Sequence, residues 1–175
     1  MPEYGTTSRI ENERELVLEK IFVAPKARLF EMFTDKSHLQ HFWAPRGWEL
    51  FHCVLDFQPD GEWYYGLRET YPHPELDSPV YWRKVLYEEI DEPNKIVYAE
   101  FFADKMGEIN RELPKSKTTM EFIPIDDNRT ILVSRTLYES SEALNVLLNR
   151  GMREDLAESF EQLTNYLTEL YGPKE

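Results

Sequence analysis

The chain has 175 residues, of which 41% are hydrophobic, so it can form one domain with a substantial core. Its formal net charge of −13 repels the phosphates of nucleic acids and of anionic lipids, which argues against both as partners. Cys53 is the only cysteine and no stretch reaches the ~20 apolar residues of a membrane helix, so we expect a cytoplasmic protein without disulfides, membrane contact or cofactors.

Hydrophobic periodicity and turn residues divide the chain into a series of short elements and one long helix. In chain order we predict a flexible N-terminal arm at 1–13, a strand at 16–23, short helices at 27–33 and 36–42, six strands at 48–57, 62–69, 80–90, 95–102, 117–125 and 129–138, and a helix at 141–170.

The connections between the predicted strands decide the fold class. They are too short for the crossovers that parallel strands need, so the sheet is antiparallel. The final helix would be ~45 Å long at 1.5 Å per residue, and the direction of its apolar residues changes between its halves. This change predicts a bend at Gly151 and a curved sheet around the helix. The predicted class is α+β, with a curved antiparallel sheet of about seven strands wrapped around the C-terminal helix, in a single domain at 14–172.

A set of short motifs occurs in a fixed order over residues 16–170. They are Lys20, Phe22 and Ala24-Pro25; Thr34-Asp35 and His38; Phe42-Trp43-Ala44-Pro45; Asp56, Pro59, Gly61 and Trp63; Glu89-Ile90, Pro93 and Lys95-Ile96-Val97; and Gly151. Together they resemble the AHSA-type family, named after the activator of the heat-shock protein 90 ATPase, within the START and Bet v-type superfamily. The chain departs from the family pattern at Asp60, where a glycine is usual, and at Met152, where a tryptophan is usual.

The resemblance implies a helix-grip fold with a hydrophobic cavity between the sheet and the long helix. Members of the superfamily bind lipids, sterols, plant hormones or polyketide-like aromatic molecules, and some catalyse cyclisation or dehydration of such ligands. The resemblance carries no universal catalytic residue, so it assigns none to this chain.

Aromatic and soft apolar side chains on the predicted strands and helix are the candidates for the cavity wall. The predicted ligand-binding residues are Trp63, Tyr65, Trp82, Tyr98, Phe101, Met120, Phe122, Leu148 and Met152. The alternative is that these residues fill the core and leave no space for a ligand. The alternation of residues does not decide which face of several strands points inward.

Titratable residues offer few candidates for chemistry. His38 and His41 are three residues apart on a predicted helix, but no cysteine or His-Glu-x-x-His pattern accompanies them, so packing roles are favoured and no metal site is predicted. His52, Glu100 and Arg135 lie within predicted strands, where an inward side chain could bind a polar group of a ligand or act as an acid or base.

Two further sets of polar residues favour structural roles. Cys53 lies in an apolar alternating run and is predicted to be a small buried side chain rather than a nucleophile. Glu88 and Glu89 are adjacent in a strand, so at least one of them faces water.

Three functions remain open from the sequence. The first is binding of a small hydrophobic or aromatic ligand between the sheet and the helix. The second is a cyclase or dehydratase on the same cavity, with His52, Glu100 or Arg135 as the first candidates for an acid or base. The third is a chaperone- or stress-related protein-interaction module, whose partner would have a basic surface and would contact the loop 43–48.

Overall fold

Within residues 4–75 and 78–173, which the computed structural model describes, the chain forms eight strands and four helices. They are β1 (Thr7–Glu11), β2 (Glu15–Phe22), α1 (Lys26–Glu31), α2 (Lys36–Leu39), β3 (Trp48–Leu55), β4 (Glu62–Glu69), β5 (Tyr81–Asp91), β6 (Lys95–Ala103), β7 (Ser116–Asp126), β8 (Arg129–Tyr138), α3 (Ser141–Asn149) and α4 (Met152–Tyr171). No helix in this part of the chain is both long enough and apolar enough to cross a membrane.

The strands form one sheet in the order β1-β2-β8-β7-β6-β5-β4-β3, and every neighbouring pair is antiparallel. This sheet and the C-terminal helices confirm the predicted α+β helix-grip fold. The described part of the sheet has eight strands rather than about seven, because β1 lies within the segment predicted to be a flexible arm.

Strand β1 was not predicted, because it is polar and almost fully exposed and therefore lacks the apolar alternation of a half-buried strand. Ion pairs connect it to the rest of the sheet instead. Arg9 lies 2.9 Å from Glu19 on β2, and Glu11 lies 2.9 Å from Arg135 on β8. Residues 7–11 of the predicted flexible arm therefore form an edge strand of the sheet.

The C-terminal helix bends at the predicted position and is in fact divided there. The side chain of Ser140 caps α3 by accepting a hydrogen bond from the backbone N–H of Ala143 at 3.0 Å. Gly151 has a left-handed backbone conformation, with φ of 86°, and separates α3 from α4. The buried face of α4, which includes Phe160 and Leu163, then packs into the core.

We expect Gly151→Ala to destabilise the fold by about 1 kcal/mol, because the left-handed conformation is strained for a residue with a Cβ. A Cβ at this position would meet only a side-chain oxygen of Glu154 at 3.9 Å, so the cost is conformational rather than steric. Gly151→Asn is the control, since asparagine tolerates this conformation better. Urea unfolding of both variants checks the prediction, and an equal loss in both would contradict it.

The short helices and the loop after them close one end of the space between sheet and α4. Phe30 and Phe33 make edge-to-face contacts with Phe122 on β7, with ring centroids 5.1 and 5.7 Å apart. On α4, the Ser159 hydroxyl donates a hydrogen bond to the carbonyl oxygen of Trp43 at 2.9 Å. These contacts hold the Trp43 ring at the edge of the interior.

Candidate functional site

Rows of side chains cross the inner face of the sheet, and strand pairing aligns three of them side by side. The central row is Trp63, Val85, Glu100, Ser116 and Tyr138. The rows on either side of it are Tyr65, Arg83 and Phe102, and Tyr87, Tyr98, Thr118 and Thr136. The face is identified as the inner one by its most buried members, since Val85 is fully buried and Trp63 is 3% exposed.

These rows place a carboxylate among four buried tyrosines. We call Glu100 and the four tyrosines around it the tyrosine–glutamate cluster; the tyrosines are Tyr65, Tyr87, Tyr98 and Tyr138, and each is at most 6% exposed. The Tyr65 hydroxyl donates a hydrogen bond to Oε1 of Glu100 at 2.5 Å. The length is that of a hydrogen bond to a charged acceptor.

Glu100 keeps unused capacity to accept hydrogen bonds. Among the residues that the structure describes, its second oxygen, Oε2, has no hydrogen-bond partner and no basic side chain lies within 4.0 Å. Arg83 lies on the neighbouring strand, but its guanidinium contacts other groups. It lies 4.0 Å from the ring centroid of Phe102 and donates a hydrogen bond to the carbonyl oxygen of Trp82. A carboxylate can accept about four hydrogen bonds, so this half-buried one can accept further hydrogen bonds from water or from a ligand.

The tyrosines of the cluster remain neutral hydrogen-bond donors. Burial raises the pKa of all four hydroxyls above the usual value, and the negative charge of Glu100 raises them further. Tyr138 donates its hydrogen bond to the sulfur of Met152 at 3.0 Å, and a thioether is a weak acceptor. The cluster therefore holds one donor whose partner a better acceptor could replace.

The space beside the cluster is small. A cavity of about 10 Å³ is lined by Phe33, Leu39, Trp43, Trp63, Tyr87, Ile96, Tyr98 and Met120. A volume of that size holds at most one water molecule. In this conformation the aromatic side chains fill most of the interior, and an organic ligand requires some of them to move.

Seven of the nine predicted wall residues face the interior. Trp63, Tyr65, Tyr98, Met120 and Phe122 are buried in the core, whereas Leu148 and Met152 are partly buried and pack against it. Binding of a ligand by these seven side chains stays a prediction.

The prediction that Trp82 and Phe101 line the interior is wrong, because both lie on the outer face of the sheet. Trp82 stacks on Tyr64 with ring centroids 5.3 Å apart, and Lys115 lies 6.0 Å from the ring centroid of Phe101. Aromatic residues occur on both faces of these strands, so residue type alone did not distinguish them.

Four interior residues were not predicted, namely Trp43, Arg83, Tyr87 and Tyr138. Trp43 contacts the Trp63 ring, with centroids 4.8 Å apart, whereas its motif and the loop 43–48 predicted no place in the interior for it. Arg83 and Tyr87 alternate with Val85 along β5, and Tyr138 lies in the same cross-strand row as Glu100. Either relation identifies these residues once one inward residue is known. The register shift between Tyr87 and Glu89 interrupts this alternation only after Tyr87.

The histidine and cysteine candidates have structural roles. His38 Nδ1 lies 2.7 Å from the Tyr166 hydroxyl and the His41 ring stacks on Tyr166, so both histidines pack against α4. Residues 4–75 and 78–173 contain no group of three potential metal ligands. Burial raises the pKa of the Cys53 thiol, whose sulfur accepts a hydrogen bond from the indole of Trp63 at 3.2 Å.

The remaining strand candidates lie outside the interior. His52 is on the outer face, with its ring centroid 5.1 Å from that of Tyr64. Arg135 pairs with Glu11 and Glu15 at 2.9 and 3.2 Å. Both Glu88 and Glu89 are exposed and pair with lysines, at 3.0 and 3.3 Å. Of the predicted acids and bases, only Glu100 reaches the core.

An open hollow of about 340 Å³ lies on the other side of the sheet, at the hairpin between β3 and β4; its lining residues are Val54, Asp56, Asp60, Gly61, Glu62 and Tyr64. Asp56 accepts a hydrogen bond from Gln58 at 2.9 Å, and Glu62 pairs with Lys84 at 3.6 Å. Two of its carboxylates therefore already have partners, and the tyrosine–glutamate cluster is the better candidate site.

Comparisons with known proteins agree with this fold. A protein from Mycobacterium smegmatis (Ms6760) is 24% identical, with a TM-score of 0.81 over 93% of this chain and 96% of that one. A protein from Arthrobacter aurescens is 22% identical, with a TM-score of 0.80 over 93% and 91% of the two chains. At these identities the similarity establishes the fold alone. No curated protein sequence matches the chain at a significant level.

A third similar structure is the AHSA1 protein from Silicibacter pomeroyi, which is 19% identical, with a TM-score of 0.67 over 90% of this chain and 99% of that one. The family model described as Activator of Hsp90 ATPase homolog 1-like protein matches residues 23–168. The match spans most of the chain and confirms the resemblance seen in the motifs. The chain therefore belongs to the Activator of Hsp90 ATPase homolog 1-like family.

Proposed function

We propose that this domain binds a small, largely apolar molecule between the inner face of the sheet and the helices α3 and α4. The observation that carries the proposal is the tyrosine–glutamate cluster, in which a half-buried carboxylate has an unused acceptor oxygen among aromatic rings. A ligand that donates a hydrogen bond to this oxygen at the edge of the interior would form a charge-assisted bond, which is stronger than one between neutral groups.

Binding requires the interior to open, and one side of it is better suited to move than the rest. Leu147, Leu148 and Met152 pack on the core but are only partly buried, unlike the fully buried Leu163 further along α4. They flank Gly151, where the helix is divided. A small rotation of α3 about this glycine would withdraw these side chains and release the Tyr138 hydroxyl from Met152.

We expect an apolar ligand to change the NMR signals of the Trp43 and Trp63 indoles and to leave that of Trp82 unchanged. Trp43 and Trp63 contact the cavity, whereas Trp82 lies on the outer face. The measurement is a ¹H–¹⁵N titration with neutral molecules of graded size, from 2-phenylethanol to a flavonoid and a sterol. Saturable shifts of the two inner indole N–H signals, with Trp82 as the internal control, are the expected result.

Equal shifts at the indoles of Trp43, Trp63 and Trp82 would indicate nonspecific association and would contradict an interior site. If no molecule of any size shifted Trp43 or Trp63, the interior would be a filled core. A protein-interaction role would then be preferred, with the loop 43–48 tested first for contact with basic partners. The Arg46 side chain in this loop is 81% exposed, although it lies 3.4 Å from Glu158.

A second candidate function, an enzyme of the cyclase or dehydratase kind, depends on the same residues. The short hydrogen bond between Tyr65 and Glu100 joins a potential proton donor to a potential base inside the core. If the domain is an enzyme, a ligand that binds to the wild-type protein should be converted on incubation, and Glu100→Gln should bind it without conversion. Mass spectrometry of the recovered ligand distinguishes conversion from simple binding.

A further inference from the structure

We infer that the ligand of this site carries a protonated amine, bound by the Glu100 carboxylate and by the aromatic rings around it. The inference rests on the proposed function and specifies the chemical class of the ligand. It follows from two properties of the cluster, which are the charge of its one strong acceptor and the arrangement of its rings.

The first property is the hydrogen-bonding state of Glu100. Its Oε1 accepts from Tyr65, while Oε2 has no partner among the described residues. A protonated amine offers three donors and a positive charge, so it binds a half-buried carboxylate more strongly than a hydroxyl does. The overall charge of −13 also raises the local concentration of cations near the protein.

The second property is the aromatic surround. The rings of Trp43, Trp63 and Tyr65 are in mutual contact, with centroid separations of 4.8, 4.4 and 6.1 Å. Tyr87 and Tyr98 continue this wall, 6.2 Å apart. Indole and phenol faces attract cations, and several such rings beside a carboxylate form the kind of cage that recognises ammonium groups.

An anionic ligand is less suited to the site, although Arg83 also faces inward. Glu100 would repel a carboxylate in the interior. The Arg83 guanidinium is already engaged by the Phe102 ring at 4.0 Å and by the carbonyl oxygen of Trp82 at 3.2 Å. These two contacts hold the arginine at one side of the site, where its charge partly balances that of Glu100.

Three ligands of nearly equal size and different charge test the inference: 2-phenylethylamine as the cation, 2-phenylethanol as the neutral molecule and phenylacetate as the anion. Each is titrated into the wild-type protein, and the shifts of the Trp43 and Trp63 indole signals give its Kd. We expect the Kd of the amine to be lower than that of the alcohol by a factor of about ten or more, because the amine forms a hydrogen bond to a charged group. The anion should bind most weakly.

Glu100→Gln should weaken binding of the amine about ten-fold or more and binding of 2-phenylethanol much less, so that the preference for the amine is lost. Glu62→Gln is the matched control, because it makes the same change of charge in the outer hollow. It should keep the preference. An equal loss in both variants would attribute the preference to the overall charge and overturn the inference.

The comparison of ligands in the wild-type protein does not depend on the folding of any variant. Equal affinities for amine and alcohol would overturn the inference while leaving the proposed function in place. Tightest binding of phenylacetate would also overturn it and would assign recognition to Arg83. If none of the three shifted the inner indoles, while the flavonoid or sterol did, the ammonium class would be wrong; if nothing shifted them, the proposed function would fail as well.

Discussion

Above about pH 10, the free energy of unfolding should fall by about 5 kcal/mol per pH unit, because four interior tyrosines remain protonated in the folded chain. Burial and the charge of Glu100 raise the pKa of Tyr65, Tyr87, Tyr98 and Tyr138 in the folded state. In the unfolded chain the same hydroxyls ionise near pH 10.

The direction follows from proton binding. Above pH 10 the unfolded state binds fewer protons than the folded state, so unfolding becomes more favourable as the pH rises. The stabilisation is complete below the unfolded pKa and is lost above it, at about 1.4 kcal/mol per tyrosine per pH unit. Urea unfolding at intervals from pH 9 to 11.5, with absorbance of tyrosinate recorded in parallel, measures both the slope and the number of ionised tyrosines.

Tyr98→Phe provides the internal comparison. It removes one titrating group from the cluster while keeping the ring, so the slope should decrease by about 1.4 kcal/mol per pH unit. The Cys53 thiol and the Tyr64 and Tyr166 hydroxyls, whose pKa values are also raised by burial, add further losses that are common to both proteins. A slope that is the same with and without Tyr98 would mean that this hydroxyl ionises within the folded chain.

Gly61→Ala is expected to destabilise the fold by about 3 kcal/mol, at the upper end of the usual cost of overpacking. A Cβ at Gly61 would overlap the backbone carbonyl oxygen of Asp56 and would lie 2.9 Å from that of Gln58. Neither oxygen can rotate away, since both belong to the backbone. The turn is also held from the other side, because the backbone N–H of Tyr87 donates to the Gly61 carbonyl oxygen at 3.0 Å.

Gly5→Ala is the matched control for this substitution. A Cβ at Gly5 would have no atom within 4 Å, so its effect should stay within about 0.5 kcal/mol. Urea midpoints of the two variants and of the wild-type protein give the comparison. If Gly61→Ala were as stable as Gly5→Ala, the close approach of the Asp56 carbonyl would be wrong. Because Gly61 precedes Trp63 by two residues, the indole signal of Trp63 should also move.

The sequence alone was sufficient for the fold and the family. Turn residues such as those at 58–61 separate the strands, and short connections allow only an antiparallel sheet. The direction of the apolar residues changes along the last helix near Gly151, and this change predicted where the helix is divided. These features are local or have a fixed period, so a single chain displays them directly. Strand β1 was missed because it is held by ion pairs to distant residues, such as Arg135, rather than by a pattern of its own.

The candidate site was determined by the sequence only in part. Alternation states which residues of a strand share a face, but the inward face is decided by packing against other elements. Trp82 and Tyr98 are equally aromatic, yet only Tyr98 faces the helix. The cluster around Glu100 exists because register aligns β4, β5, β6, β7 and β8, with a register shift after Tyr87. Register depends on long-range hydrogen bonds and on the burial of one whole face, so only the tertiary structure could bring Glu100 and its four tyrosines together.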